Sequence, residues 1–571
     1  MKLSEDVTVA LRKRAEIDSK HLVVLVERDE MEWTKSLNKL TTVFAELCTT
    51  YYKDEGRRVK ARIEKRNFSS VELSIRYCFK VAVYAEFRRD WPEALKFYEE
   101  GIRVLREMIG TSTRLPPTQR LVEVKAVAEQ FHFKISTILL HGGKVVGAIT
   151  WFRKHIRSYE RVVGSPEVAF LHWEWFSRQF LVFGELIETT STTVPDTLSP
   201  RFGTADNALT EWEFQPAYYY QLAANYLREK RYALEFSSSS VSLTKGVNGL
   251  PESVMPSVYV GQYVRLFEQG DTVAVLPLSD TEYTSYALSE AERFQDSYEI
   301  IALFRKAYES FRSLGATRMA SACSGGMAIE YYAAGDFNNA KQLFDGVAGL
   351  YRQEGWATLL WENLGYLREC ARKLKSLKDF ISYSLEMAAL PLFSGSGQGN
   401  SENKRKNGPA GSPTISSREL IQQEVINILE GKHASENTDD EFDLHLMEES
   451  THLDIDQISP LRIVFLASVA FHDQSVKPDS PMLVSVSLQS HLPCPVMIDK
   501  LEVQFNQSDC NFVIVSAQED CSASNSHVHD GAVQTPLTLF TDKWMRLTHE
   551  VKPEWKAGMF GGEGNNKVNV L

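Results

Sequence analysis

Met327-Ala328-Ile329-Glu330-Tyr331-Tyr332-Ala333-Ala334-Gly335-Asp336-Phe337-Asn338-Asn339-Ala340-Lys341-Gln342-Leu343-Phe344 is the stretch whose reading decides the fold. Small Ala328 and large Tyr331 stand three apart, on one face of a first helix. Gly335-Asp336 stops that helix, because glycine takes the left-handed turn without steric cost. Ala340 and Phe344 stand four apart on a second helix. A small residue where two helices cross, a large one beside it and a tight turn between them make the tetratricopeptide arrangement. A pair of this kind cannot bury its apolar face alone, so neighbours must stack on it.

The same offsets recur outward from there. In residues 71–109 the matching positions are Ala82, Ala85, Asp90-Trp91, Ala94 and Tyr98, with Ala85 small where Tyr331 is large. In residues 131–159 they are Ser136, Leu139, Gly143, Ala148 and Phe152. A fourth copy opens at Leu222-Ala223-Ala224-Asn225-Tyr226 and expects its turn at Tyr232, but Glu235 replaces the small residue. The positions expected to pack the repeats are therefore Ala82, Ala94, Tyr98, Ala148, Phe152, Ala328, Tyr331, Ala340 and Phe344. Between copies, Phe170, Trp173, Trp175, Phe176, Phe180 and Phe183 fall at helical spacing and read as core.

Both ends change character. Residues 7–19 read as an amphipathic helix, and 21–26 (His-Leu-Val-Val-Leu-Val) as a buried strand. One strand has nothing nearby to pair with, so residues 1–30 read as the remnant of an α/β region. Residues 32–52 are helical and lead into a basic run. There Arg57, Arg58, Lys60, Arg62, Lys65 and Arg66 form a candidate interaction patch or, more plainly, a solvated helix face. Residues 391–459 carry Gly/Ser/Lys-rich linker composition, a short helix at 418–429 and an acidic segment. The linker at 391–417 is where a protease is expected to cut first. From Leu461 the period becomes two, over 461–471, 482–489, 498–505 and 512–516, then 535–540 and 544–551. The fold class is thus mostly α. A tetratricopeptide-like α-solenoid spans 31–390, a flexible linker 391–459, and a partial immunoglobulin-like β-sandwich 460–571, with 558–571 a frayed end.

The blocks Arg318-Met319, Glu330-Tyr331-Tyr332, Asp336, Ala340, Tyr351-Arg352, Glu354-Gly355-Trp356, Leu359-Leu360, Leu377-Lys378-Asp379 and Tyr383-Ser384-Leu385-Glu386 follow in order along residues 316–390. They resemble the signature of the foie gras family, the eleventh-subunit family of the trafficking protein particle (TRAPP) complex. The resemblance implies a foie gras domain over roughly 130–390 and a chain shortened at both ends. It also implies a non-catalytic scaffold of a vesicle-tethering complex in endoplasmic reticulum-to-Golgi transport and autophagy. Its partners would be other TRAPP subunits, with a Rab-type GTPase reached only indirectly, since other subunits carry the exchange step. Its place would be cytoplasmic, peripheral to Golgi and ER–Golgi membranes. Repeat geometry by itself equally allows a general helical-repeat adaptor of the coat or chaperone-cofactor type.

A net charge of −12 lacks the basic footprint of bulk nucleic-acid binding. Seven widely spaced cysteines without a C-x-x-C pair fit a reducing compartment. No run of about 20 apolar residues spans a bilayer, so membrane contact is expected to be peripheral. No P-loop and no H-E-x-x-H occur. Gly395-Ser396-Gly397-Gln398-Gly399 follows no strand and reads as linker. Ala322-Cys323-Ser324-Gly325-Gly326 lacks the first glycine of a nucleophile elbow and lies in a repeat helix. His527 and His529 sit in a Ser/Asn/Gly loop rather than on a strand. The expectation is no catalytic residues, no cofactor and no metal.

Overall fold

The computed structural model describes residues 5–16, 25, 30–65, 71–110, 118–190, 209–241, 280–292, 296–391, 408–430, 452–453, 455, 459–473, 480–505, 510–516, 537–552 and 568–570. The expected strand at 21–26 lies outside them, except for Leu25, which is exposed and in no strand. So do the Gly/Ser run at 394–400 and the histidines at 527 and 529. The chain divides into two units, Met1–Ala316 and Thr317–Leu571.

The first unit is helical: α1 (Glu5–Ala15), α2 (Glu30–Lys65), α3 (Val71–Phe87), α4 (Trp91–Gly110), α5 (Thr118–His141), α6 (Val145–Tyr159), α7 (Ala169–Thr189), α8 (Pro216–Val241), α9 (Asp280–Glu292) and α10 (Ser297–Ser313). The second opens with α11 (Thr317–Ala333), α12 (Phe337–Glu354), α13 (Ala357–Lys373) and α14 (Leu377–Ala389), followed by α15 (Ile415–Leu429). Helices in tandem followed by small antiparallel strands are the class the sequence predicts.

One device closes six of the turns between helices. A residue in the left-handed region (Arg89, Gly143, Gly315, Gly335, Gly355 or Lys375) follows the helix. The next residue donates its N–H to the carbonyl five positions back. These bonds run from Asp90 to Ala85, Lys144 to Leu139, Ala316 to Phe311, Asp336 to Tyr331, Trp356 to Tyr351 and Ser376 to Ala371, all at 2.9–3.0 Å. This is the Schellman closure, which satisfies carbonyls that a helix end leaves open. After Gly335, the Asp336 carboxylate accepts from the Asn339 N–H at 3.2 Å and caps α12. Gly355 sits at φ 71°. Gly355→Ala is expected to cost about 1 kcal/mol, read as a lower urea midpoint with an unchanged slope.

The fourth copy differs from expectation. No turn occurs at Tyr232; α8 runs unbroken through it. Arg228-Glu229-Lys230-Arg231 are good helix formers, and no residue there takes a left-handed conformation. The aromatic run of α7 is core. Phe170, Trp175, Phe176, Phe180 and Phe183 are buried, while half-buried Trp173 stacks on Tyr226 at 5.9 Å. Phe152 of α6 stacks on Phe183 at 4.2 Å and meets Tyr219 of α8 edge-on at 5.5 Å.

In the second unit, residues 460–463 form a 3₁₀ turn rather than strand, because Pro460 fixes φ at its start. The strands are β1 (Phe465–Phe471), β2 (Met482–Ser490), β3 (Val496–Met497), β4 (Lys500–Val503), β5 (Phe512–Val515), β6 (Thr538–Leu539), β7 (Trp544–Val551) and β8 (Val568–Val570). They make sheets of order β1-β2-β7, β3-β6 and β5-β4-β8, paired antiparallel throughout. β8 lies within the expected frayed end and pairs with β4. Val484, Val486 and Leu488 of β2 share a core with Leu501 and Val503 of β4, Phe512 and Leu539.

The described part of the expected linker, 408–430, is tied to the helices. Trp361 Nε1 donates to the Gly411 carbonyl at 3.1 Å. A Cβ on Gly365 would meet Ala410 Cβ at 2.5 Å, so only glycine admits that segment. Arg418 of α15 donates to the Ala388 and His491 carbonyls, and Gln422 exchanges hydrogen bonds with the Cys494 backbone at 2.7 and 3.0 Å.

Candidate interaction surfaces

The residues singled out for packing the repeats lie inside. Ala82, Ala94, Tyr98, Ala148, Phe152, Ala328, Ala340 and Phe344 are buried; Tyr331 is half-buried against the same core as Ala328 and Ala340. Buried positions offer nothing to a partner, so any contact surface must be sought on the helix faces they leave outward.

The basic run is partly neutralised within the chain. Arg57 and Arg58 are exposed and pair one turn back with Asp54 at 3.3 Å and Glu55 at 2.6 Å. Lys60 turns the other way, over the Phe97 ring at 4.8 Å and onto Glu93, which also holds Arg88. Burial raises the Glu93 pKa, but Lys60 and Arg88 together bring it below the usual range. Arg62 is exposed; the Lys65 side chain and Arg66 lie outside the described residues.

The foie gras blocks turn out to touch one another. Arg318 donates to Glu354 at 2.8 Å and lies over the Trp356 ring at 5.5 Å. Arg352 of α12 forms a two-pronged pair with Glu386 of α14 at 2.6 and 2.8 Å. Lys341 pairs with Asp379, and the Tyr383 hydroxyl donates to Asp345 at 2.8 Å. These residues lock α11, α12 and α14 together. Sequence reasoning recognised the blocks but not their pairing, because the partners stand 34–38 residues apart along the chain.

Where the same blocks reach the surface they leave a cleft of about 400 Å³ lined by Gly355, Trp356, Ala357, Thr358 and Leu359. Half-buried Trp356, with Leu359 exposed beside it and Arg318 above, has the make-up of an interface anchor. A second cavity, of about 500 Å³, lies along α6 among Thr150, Arg153, Lys154, Arg157, Ser158 and Leu209, with Arg153 held by Glu213.

Ser324 lies inside unbroken α11, not at the strand-to-helix turn that a nucleophile elbow requires. Burial pushes the Cys78 thiol up to about 11 and those of Cys323 and Cys370 up to about 12, away from thiolate reactivity. Among the described residues no three His, Cys, Asp or Glu side chains gather as metal ligands, and no helix is long and apolar enough to cross a membrane.

A group of titratable side chains is buried in the first unit. Lys125, Glu129 and His132 of α5, His155 and Tyr159 of α6, and His172 and Gln179 of α7 face one another. The His132 and His155 rings stack at 4.0 Å, 7° apart. Lys125 Nζ lies 2.9 Å from His172 Nδ1, and desolvation brings its pKa down to about 7. Sequence reasoning missed this group, since a polar residue on an α5 face looks solvent-facing until α6 and α7 cover it.

Comparison with known proteins bears on what such a molecule is for. Residues 120–390 match the family described as Foie gras liver health family 1. Over 566 residues the chain is 28% identical to trafficking protein particle complex subunit 11 of Homo sapiens, covering 95% of this chain and 46% of that protein. The Bos taurus protein of the same name is 29% identical over 529 residues, covering 89% of this chain and 42% of its own length. The chain therefore spans less than half the length of these curated relatives. Among solved structures, a circular tandem repeat protein aligns with 71% of this chain and 82% of its own, at 14% identity and a TM-score of 0.21, too slight a likeness to carry an argument.

Proposed function

From the premise that residues 120–390 form a foie gras family domain, we propose that this chain is a non-catalytic scaffold subunit of a TRAPP-type tethering complex. It acts in endoplasmic reticulum-to-Golgi transport and autophagy, held at those membranes peripherally, while other subunits act on the Rab-type GTPase. The observation that carries the reading is the reach of the similarity. It runs over 95% of the chain, across both units and well beyond the foie gras segment. The physical character of the chain supports the same role. Stacked helix pairs offer area for many weak contacts at once, and the Trp356 cleft offers an aromatic anchor built from family-signature residues.

The test is affinity purification of the tagged 571-residue chain from cells, with mass spectrometry of what accompanies it. Enrichment of TRAPP subunits is expected, and Trp356→Ala is expected to reduce their recovery while leaving the helical signal and melting intact. A folded, monodisperse chain that recovers no TRAPP subunit overturns the proposal.

A further inference from the structure

Three arginines of this chain use one edge of the guanidinium, Nε with Nη2, to hold a carboxylate. Arg153 holds Glu213 in this way, Arg318 holds Glu354, and Arg352 holds Glu386. That edge is a planar fork matched to two oxygens of an oxyanion. Arg106 of α4 departs from the pattern. Its Nε and Nη2 are both buried, and neither has a hydrogen-bond partner among the described residues. Burial lowers its pKa, and the group that acts against burial is the Tyr159 hydroxyl rather than a carboxylate. Residues 111–117 (Thr-Ser-Thr-Arg-Leu-Pro-Pro), which follow α4, contain no acidic side chain. A guanidinium taken out of water without a counter-charge costs free energy, and a bound anion would offset that cost.

Two neighbours on α6 share the condition. Arg106 Cζ lies 5.6 Å from the centre of the Trp151 ring, and Lys154 Nζ lies 5.8 Å from the centre of the same ring. Trp151 and Lys154 stand three apart, so they share a helix face. The Trp151 indole N–H is buried without an acceptor, and Lys154 pairs with no carboxylate among the described residues. Guanidinium, ammonium and indole N–H are donors only. A partner common to all three is therefore an acceptor, and two cations at one ring call for two negative charges.

We propose that Arg106, Trp151 and Lys154 form a binding site for a phosphate monoester. A carboxylate brings one charge and two oxygens, which the Arg106 fork alone would use up. A phosphate monoester brings nearly two charges and three terminal oxygens. Two oxygens suit the fork, and the third suits the Lys154 ammonium or the indole N–H. Lys154 is exposed and borders the cavity of about 500 Å³ along α6, while Arg106 and Trp151 are half-buried. The ligand therefore arrives on the Lys154 side. The Arg106 edge turns to meet it, exchanging burial without a partner for a charge-assisted pair. A soluble phosphate ester and a lipid headgroup with a terminal phosphate carry this same chemistry.

The experiment is a titration of the 571-residue chain with inorganic phosphate, read as melting temperature against sodium chloride of equal ionic strength. A saturable rise of a few degrees is expected, half complete at roughly millimolar phosphate. Arg106→Lys keeps the charge and loses the fork, and is expected to raise the half-effect concentration roughly tenfold. Arg106→Met is expected to abolish the saturable part. Lys154→Ala, at an exposed position, is expected to raise the half-effect concentration roughly fivefold while leaving the melt in chloride unchanged. A second arm sediments the chain with phosphatidylcholine vesicles that contain or lack a phosphatidylinositol monophosphate. Retention on the phosphorylated vesicles that Arg106→Met removes assigns the site to a lipid headgroup. A saturable response to phosphate without such retention assigns it to a soluble ester. A melt that responds to phosphate no more than to chloride, or responds alike in the parent, Arg106→Met and Lys154→Ala, overturns the proposal.

Discussion

Replacing Arg352 by methionine is expected to cost about 3–5 kcal/mol, seen as a large drop in the unfolding midpoint by circular dichroism or calorimetry. Arg352 keeps a quarter of its side-chain surface, whereas Glu386 is 2% exposed. Burial already holds the Glu386 carboxyl above the usual range, against the pull of Arg352. Without the guanidinium, Glu386 is left as a buried carboxylate with Asp345 repelling it. It must either stay charged without a partner or take up a proton, and both cost free energy.

Two further results separate this from a simple loss of packing. A Glu386→Leu change made on the Arg352→Met background is expected to recover most of the stability, because a buried ion pair replaced at both ends is often near neutral. The deficit of the single variant is also expected to shrink on acidification. A carboxyl whose folded pKa is raised has its stability intact below the unfolded pKa and loses it as pH rises through the folded one. A deficit that is equal at pH 5 and pH 8, or a double variant no better than the single, would mean that pairing with Glu386 is not what Arg352 contributes.

The same pair shows how far the sequence could be read. Ala328, Ala340 and Phe344 announce a helix crossing through size and spacing alone, and Gly335 announces its turn. Arg89 and Lys375 close turns of the same geometry without glycine, so only the bond to the carbonyl five residues back identifies them. Tyr232 looks like a turn by analogy with an earlier copy, yet helix-forming neighbours carry α8 past it. Arg352 and Glu386 lie 34 residues apart, and no local pattern says that α12 and α14 bring them together. Local chemistry is legible in one dimension; pairing between helices is set by the packing of the helices between them. The candidate surfaces follow the same division. The basic run was legible as charge, but its neutralisation by Glu93 required α4 to be in place.

Acidification from pH 6.5 to pH 4 is expected to lower the stability of the first unit steeply, through His132, His155 and His172. All three are buried. Desolvation, then Arg106, holds His155 down to about 3; desolvation, then Lys125, holds His172 down to about 3. Desolvation followed by His155 and Arg106 lowers His132 well below its ordinary value. The geometry gives the reason. His155 Nε2 lies 3.3 Å from Gln179 Oε1 and His132 Nδ1 3.5 Å from Ser136 Oγ, while His155 Nδ1 and His132 Nε2 have no partner among the described residues. A second ring proton would find no acceptor, and two stacked imidazolium rings would repel.

The direction follows from proton linkage. A base whose folded pKa lies below its unfolded value binds fewer protons when folded, so stability rises with pH between the two values and falls on acidification through that window. For His155 and His172 the window runs from about 6.5 down to about 3, and at pH 5 each costs about 2 kcal/mol. Lys125 works in the same sense, but at higher pH, between about 10.5 and about 7. Glu129 opposes them. Burial raises its pKa against Arg178 and Gln179, so its protonation returns part of the loss. The measurement is the unfolding free energy against pH, where the slope counts protons taken up. About one proton per buried histidine is expected near pH 5, and His155→Gln is expected to remove roughly one. A slope unchanged by that substitution would place the acid sensitivity elsewhere. Because α5, α6 and α7 carry the cluster, its loosening would begin at the helix pairs of residues 118–189, where the foie gras segment begins.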